Sequence, residues 1–470
     1  MSKAGSKGKA GHPAVKGLRE FIEGLEASDP SSVLRIKEHV ALDYEMTAVA
    51  MELERRGQSP VLWFENVGTT GMPVVANLFG NRKRFAVAAG VEESQLFTAW
   101  GKLGDKLMPP ERVERGPVLE TVLTGADVDL GKLPIPRHFA EDGGAYITSG
   151  IIIAKDPDKG VHNASFHRMQ VKGPQLLGTS LHSRRHLWSY ARRAAALEQD
   201  LPVVVVIGCH PLFMFGSGLW KGPIDTDEYE VAGGFLGEPL RVARGPMGKV
   251  EIPVDCEIAL EGTLLTREHA PEGPFAEFTG YASERSTQHI LKVNSILHRK
   301  NALFQDIVPG ISDEHTLLLA IPQEARLLRT LHQHNPNVTA VAYPKSGTCR
   351  FHAYVAVKDV APGQARNIGI TTLGDDLSLK MVVIVDDDVD VTQDFDVLWA
   401  MATRMQADSD IDTIREAMGA ILDPSNRQGT TAKMIVDATR KTNPFPRRHT
   451  IPSDATSRAR DLIEKLKAGR

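Results

Sequence analysis

Leu18, Phe21, Ile22 and Leu25 recur at helical spacing, which predicts a helix over Lys16–Leu25 that Asp29 and Pro30 stop. Short apolar runs at Val61–Phe64 and Val74–Asn77 flank a Gly-rich turn, Gly68–Gly71, and read as strands. Ser94–Leu103 returns to the helical period, so residues 13–115 are expected to form an α/β region. Over 116–312 strand-like runs dominate: Tyr146–Ala154, Ala164–Val171, Val203–Ile207 and Val250–Leu260. The polar stretch Lys155–Gly160 reads as a turn, which predicts a hairpin with Asn163 and Arg168 on its second strand. One helix, Ser183–Leu197, interrupts the strands, with Ser183 as N-cap and Asp200–Pro202 as its stop. That places His186 in the first turn, near the positive end of the helix dipole.

From 313 to 455 the pattern alternates again. Val338–Tyr343, Phe351–Val357 and Met381–Val385 read as strands, and Gln323–His332, Gln364–Gly374 and Phe395–Ala407 as helices, giving a second α/β region. Asp386, Asp387 and Asp388 follow a buried strand and read as a solvated turn rather than a cation site. Within 456–470, Ser457–Lys467 is amphipathic, with Leu462, Ile463 and Leu466 on a face that must dock on its own chain or on a neighbour.

Length and composition narrow the classes. At 470 residues several domains are expected. With 55 basic and 59 acidic residues the net charge is −4, which gives no argument for nucleic acid or an anionic membrane as partner. Cys209, Cys256 and Cys349 lie far apart and form neither a zinc site nor a disulfide framework, which fits a reducing compartment. Residues 1–12 are rich in Gly, Ala, Lys and Ser, lack the apolar core of a signal peptide, and are expected to be disordered. No apolar run is long enough to span a bilayer, so a soluble cytoplasmic protein is expected.

The chemistry centres on Pro271-Glu272-Gly273-Pro274-Phe275-Ala276-Glu277-Phe278. A spacing of five pairs the two glutamates in neither a regular strand nor a helix. Pro271, Gly273 and Pro274 predict a loop instead, and a loop can turn both carboxylates into one pocket. Two close carboxylates beside Phe275 and Phe278 cannot both ionise cheaply, so one would become a proton donor near neutral pH; the alternative for this stretch alone is a surface turn with two solvated acids. Elsewhere Asn163, His186 and Glu228 offer an amide oxygen, an imidazole and a carboxylate, a mixed set suited to Mn²⁺ or Mg²⁺, with Glu230 as the rival acid. No GxGxxG or Walker loop occurs in the right context for an ordinary dinucleotide or nucleoside triphosphate site.

Taken together, these stretches resemble the UbiD-like decarboxylases, which use prenylated FMN. The likeness rests on Asn163 and Arg168 five apart, His186 eighteen residues later, Glu228 in a Glu-Tyr-x-x-x-Gly context, and Pro-Glu-Gly-Pro-Phe-x-Glu. It extends upstream to Leu133–Pro136 and Glu141–Thr148, and downstream to Lys380–Asp388. It implies a central split β-barrel that binds the flavin, flanked by α/β regions. It implies that Asn163, His186 and Glu228 hold a metal bridging to the flavin phosphate, with Ser165, Arg168, Arg185, Ser217 and Lys380 as further cofactor contacts. Backbone carbonyls at Ser217 and Gly218 would bind a monovalent cation, K⁺. Arg168 would bind the substrate carboxylate, Glu272 would hold Arg168, and Glu277 would deliver the proton that replaces CO₂. Phe278 and Leu318 are the expected pocket walls. The activity implied is reversible, non-oxidative decarboxylation of an α,β-unsaturated or (hetero)aromatic acid. It would need a flavin prenyltransferase to supply the cofactor and would run in a homodimer or homohexamer. Two rivals remain: an ordinary FMN oxidoreductase, which needs no such triad, and a non-catalytic flavin-binding assembly subunit, which tolerates loss of Glu277.

Overall fold

A computed structural model describes residues 17–181, 185–441 and 444–468. Its centre is a nine-stranded sheet, antiparallel at every pairing. The path runs Tyr146–Ile147, Met169–Gly173, Leu176–Thr179, Ser286–His298, Ile258–Glu272, Leu201–Ile207, Ile151–Lys155, His162–Phe166, and Thr121–Thr124 adds to Ser286–His298 off this path. Side chains alternate across a strand, and here both faces are covered. Val204 and Val206 pack into one core with Ile151 and Ile153, whereas Val203, Val205 and Ile207 pack into another with Ile152 and Leu260. That double burial explains the unbroken apolar run at Val203–Ile207.

The predicted hairpin forms, but in two pieces. Tyr146–Ala154 divides into Tyr146–Ile147 and Ile151–Lys155, and Ala164–Val171 into His162–Phe166 and Met169–Gly173. The breaks face each other, with the His167 N–H donating to the Gly150 carbonyl at 3.2 Å. The outer halves pair at one end of the sheet and the inner halves at the other. One hairpin therefore joins both ends of the open path. Arg168 sits in the break and not on a strand as expected. The break residues Thr148, Ser149, Gly150, His167 and Arg168 are polar or glycine, but the apolar pattern resumes on either side, so periodicity alone does not separate them from a polar stretch of one strand.

A smaller sheet, Val33–Val40, Val61–Val67 and Val74–Ala76, recruits Phe304–Gln305 from far along the chain. It is locked to the helix Asp313–His332 by Glu314, whose fully buried carboxylate accepts the N–H groups of Asn77, Phe79 and Val308. That helix starts ten residues before the sequence reading placed it, capped by Ser312, and carries Pro322 inside. The third layer is a five-stranded sheet ordered Val338–Ala342, His352–Val357, Met381–Asp386, Thr430–Ala438, Ile411–Met418. Its last two strands were not foreseen. The turn at Asp386–Asp388 is solvated only in part: Asp387 and Asp388 are exposed, Asp386 is buried, and Asp386 and Asp388 clamp the buried Arg404 at 2.8 Å and 2.8 Å. A three-stranded sheet, Glu111–Arg112, Arg241–Arg244, Glu251–Pro253, adds to these in a mixed α+β, multidomain fold.

The expected disorder of residues 1–12 and the proposed Ser183 cap lie outside the described residues. The interrupting helix runs His186–Ala196 with Arg185 as its N-cap residue. The tail helix runs Ser453–Ala468, and Leu462, Ile463 and Leu466 remain 58%, 50% and 63% exposed within the single chain. Among the described residues no helix is long and apolar enough to cross a membrane.

Candidate active site

The two glutamates converge on Arg168, although not from one loop. The strand Ile258–Glu272 continues through Pro271, which pairs in register with Thr287. The partner on its other side, Leu201–Ile207, reaches only as far as Leu264, so Pro271 removes no hydrogen bond from the sheet interior. Glu272 is thus the last residue of the strand and fully buried. The loop proper begins at Gly273, whose φ of +92° suits glycine. It carries Glu277, 8% exposed, round to the same arginine.

Arg168 donates from Nε to Glu272 Oε1 and from Nη2 to Glu272 Oε2, both at 3.0 Å, a bidentate fork. Its Nη1 donates to Glu277 Oε1. The guanidinium also lies 4.9 Å from the Phe275 ring centre. Burial raises the Glu277 carboxyl above the ordinary carboxylate range, Arg168 pulls it down, and Glu272 pushes it up again. The site therefore holds a gripped cation, one carboxylate locked to it, and a second carboxyl inclined to keep its proton.

A second cluster lies on the neighbouring strand His162–Phe166. Asp227 caps the helix Glu228–Leu236 and accepts from His162 Nδ1 at 2.8 Å, which anchors the helix start to this strand. Glu228 then accepts from Asn163 Nδ2 at 2.9 Å and from the Ala164 N–H at 2.6 Å, and His186 Nδ1 lies 3.5 Å from its Oε1. Burial raises the Glu228 carboxyl above its ordinary range. Glu228, and not Glu230, is the acid these two residues reach. Among the described residues no three His, Cys, Asp or Glu side chains form a metal-holding group, so the set reaches three donors only through the Asn163 amide. Of the other histidines nearby, His162 pairs with Asp227 and Glu251, His167 with Ser165 and the Ser180 carbonyl, and His210 caps the helix Pro211–Gly216. His182 lies outside the described residues.

Ser165 donates to Asn163 Oδ1 at 3.3 Å and meets His167 at 2.9 Å, so it links the two clusters. Ser217 is buried and its hydroxyl donates to Phe213 O at 2.6 Å. Arg185 is exposed and lies within electrostatic reach of Lys221, Arg350, Arg326 and Asp376. Lys221 is itself exposed; desolvation first and then the charges of Arg350, Arg185 and Arg326 lower the pKa of its ammonium, while Asp376 works against them. Such a surplus of cations suits an anion. Lys380 stands apart, bonded to Ser425 Oγ at 2.6 Å and Asp423 at 2.8 Å, 5.7 Å from the Phe351 ring centre. Phe278 meets that same Phe351 edge-on at 5.6 Å. Leu318 is buried in the larger apolar core.

Sequence reasoning gave no role to three residues that touch the glutamates' setting. Tyr146 places its hydroxyl 3.1 Å from Glu272 Oε1, Asp142 accepts the Ala276 N–H, and Gln170 accepts the Gly273 N–H. Asp142 and Tyr146 belong to the Glu141–Thr148 motif, so a signal was present but its partner was not.

Three family models match the chain in order. They describe the N-terminal, Rift-related and C-terminal domains of 3-octaprenyl-4-hydroxybenzoate carboxy-lyase and cover residues 29–103, 111–312 and 316–438. The anhydromevalonate phosphate decarboxylase of Methanothermobacter thermautotrophicus is 33% identical over 90% of this chain and 96% of its own. The phenolic acid decarboxylase of Bacillus subtilis is 31% identical over 96% and 98%. The UbiD-class enzyme HmfF of Pelotomaculum thermopropionicum, solved in complex with FMN, superposes with a TM-score of 0.88 at 34% identity, covering 93% of this chain and 97% of that one. An evolved dimeric form of HmfF in complex with prFMN superposes with a TM-score of 0.85 at 32% identity, covering the same 93% and 97%.

Proposed function

The chain belongs to the UbiD family of carboxy-lyases, and from that premise we propose that it is a prenylated-FMN-dependent decarboxylase of α,β-unsaturated or (hetero)aromatic acids. That it is a UbiD-like decarboxylase follows from the family; the cofactor form, the substrate class and the residue roles are our reading. The observation that carries it is the buried clasp in which Arg168 is held by Glu272 and also meets Glu277. The reaction is non-oxidative and should reverse under high CO₂.

Asn163, His186 and Glu228 would hold Mn²⁺ (or Mg²⁺) for the flavin phosphate, with the exposed cations Arg185 and Lys221 as its further neighbours. Those donors fit the group: a cation would hold the buried Glu228 ionised, and a phosphate would answer the positive charges that Asp375 and Asp376 only partly offset. Ser165, Ser217 and Lys380 are the remaining cofactor contacts in this reading, and carbonyls near Ser217 would take K⁺. We read the nine-stranded sheet, whose two ends share one hairpin, as the split barrel around the flavin. When bound, prenylated FMN supplies the electron sink for the pair left behind as CO₂ departs.

The chain's own residues do the rest. Arg168 binds the substrate carboxylate, and the fork from Glu272 keeps the guanidinium in place while it does so. An arriving carboxylate competes with Glu277 for Arg168 and adds a second negative charge. Both changes favour the protonated form of Glu277, so substrate binding loads the proton that later replaces CO₂. Phe278, with Leu318 deeper in the core, would form part of an apolar wall. The exposed face of the tail helix would join copies of the chain as a dimer or hexamer.

The test compares protein made with and without a flavin prenyltransferase, on a panel of aromatic and α,β-unsaturated acids. Turnover is expected only from the first, and robust turnover with plain FMN overturns the reading. His186→Ala should release most of the flavin, read from the visible spectrum after gel filtration. Full flavin occupancy in that variant removes the metal assignment.

A further inference from the structure

We propose that Asp142 is a positioning residue for the proton donor, its carboxylate fixing the backbone just ahead of Glu277 so that the Glu277 carboxyl stays against Arg168. The inference rests on the reading of Glu277 as proton donor and deepens it. Asp142 is 1% exposed. Its Oδ1 accepts the Ala276 N–H at 2.9 Å, and its Oδ2 accepts the N–H groups of Phe139 at 2.9 Å and His138 at 3.2 Å. Both oxygens face only donors, a demand that an ionised carboxylate meets and an amide does not.

The neighbours of Asp142 extend the hold along the loop. The Gly143 N–H donates to Pro274 O at 2.8 Å, and the Tyr146 hydroxyl lies 3.2 Å from the same oxygen and 3.1 Å from Glu272. Gln170 Oε1 accepts the Gly273 N–H at 3.2 Å. Residues 272–276 are therefore each tied: Phe275 exchanges hydrogen bonds with Ser283, its N–H donating to Ser283 Oγ at 3.2 Å and its carbonyl accepting the Ser283 N–H at 2.8 Å, and its ring lies tilted against Tyr146 with ring centres 4.6 Å apart. The contact is close: a Cβ at Gly143 would stand 2.4 Å from the Gly273 carbonyl oxygen. Beyond Glu277 the loop closes on itself, with the Glu277 N–H donating to Tyr281 O at 3.0 Å. The support is itself anchored, because Arg137 donates to the carbonyls of Ala140 and Asp142, and the Tyr44 N–H donates to Arg137 O. Glu277 thus leaves a backbone pinned on both sides, facing Arg168 from the hairpin break and Glu272 from the strand end.

Asp142→Asn keeps the volume and reverses a contact. Whichever way the amide turns, its NH₂ meets either the Ala276 donor or the His138 and Phe139 donors. The loop then shifts, and a displacement of about 1 Å at a reacting group costs on the order of 10²-fold in rate.

The experiment uses full-length, cofactor-loaded Asp142→Asn, Gly143→Ala and Glu277→Gln, assayed on the fastest acid of the panel, with hydrogen–deuterium exchange of the peptide 271–281. For Asp142→Asn we expect kcat to fall by about 10–100-fold, KM to stay within a small factor and flavin content to match wild type. We also expect faster exchange in the peptide, and an alkaline limb of kcat moved to lower pH as water reaches Glu277. Gly143→Ala, pressing on the same loop, should give the same signature and decides the matter if Asp142→Asn does not fold. Wild-type kcat with wild-type exchange overturns the inference. Faster exchange with unchanged kcat and pH profile also overturns it, leaving Asp142 merely structural. An inactive Glu277→Gln beside an unaffected Asp142→Asn removes this inference alone, whereas a fully active Glu277→Gln removes it together with the reading beneath it.

Discussion

Glu277→Gln should bind flavin and substrate as the parent does and lose turnover by about 10²–10⁴-fold, the usual effect of removing a general acid. Glutamine matches the shape and can still meet Arg168 through its carbonyl oxygen, but it carries no transferable proton. The pH profile adds a sign. Burial raises the Glu277 carboxyl, and only its protonated form can donate. Wild-type kcat is therefore expected to fall as pH rises through that raised value, with the working form present below it. The residual activity of the glutamine variant should lack this limb. In D₂O the wild type should place one deuterium at the carbon that lost CO₂. Near-wild-type turnover in Glu277→Gln would make the loop structural and send the search for the acid elsewhere.

Arg168→Met should abolish measurable turnover and also weaken the fold. It strands Glu272, which is fully buried, beside Glu277 with no counter-charge. Removing one partner of a buried pair costs about 3–5 kcal/mol. Denaturant unfolding should show that loss at neutral pH, and the deficit should narrow as pH falls toward about 4, where stranded carboxylates take up protons. Adding Glu272→Met should restore much of the stability, since an apolar pair replaces a buried ionic one at little cost, but none of the activity. An Arg168→Met protein as stable as wild type at pH 7 would show that the clasp is solvated enough to be dispensable to the fold.

Much of this was legible in the sequence because helices and buried strands leave their period in it. The helix at Leu18 and the strands at Val203 and Met381 emerge close to where apolar spacing put them. Breaks are harder: Thr148–Gly150 and His167–Arg168 interrupt the apolar runs only briefly, with polar residues and one glycine that a continuous strand can also carry. Pro271 misled in the opposite direction, since a proline is tolerated where a strand has lost one neighbour, and only the tertiary pairing reveals that. The edge strand Ile411–Met418 was missed because its charged, mostly exposed residues carry little apolar signal. At the site, residue order pointed to Arg168, Glu272 and Glu277, which lie 104 and 109 positions apart in the two ion pairs. Spacing over such distances carries no geometry, so the contacts of Asp142, Tyr146 and Gln170 had to come from the fold.

The divided hairpin has a consequence for how such a protein can diversify. Arg168 is placed by where the backbone parts and then held by Glu272, whereas Phe351, which meets Phe278, stands just before the strand His352–Val357 of the five-stranded sheet. On the proposed reading, the grip on the carboxylate comes from the hairpin break, and Phe351, which backs the Phe278 wall, comes from a distant stretch of chain. Drift in the second can proceed while the first stays fixed, so a lineage can change its diet without relearning its chemistry.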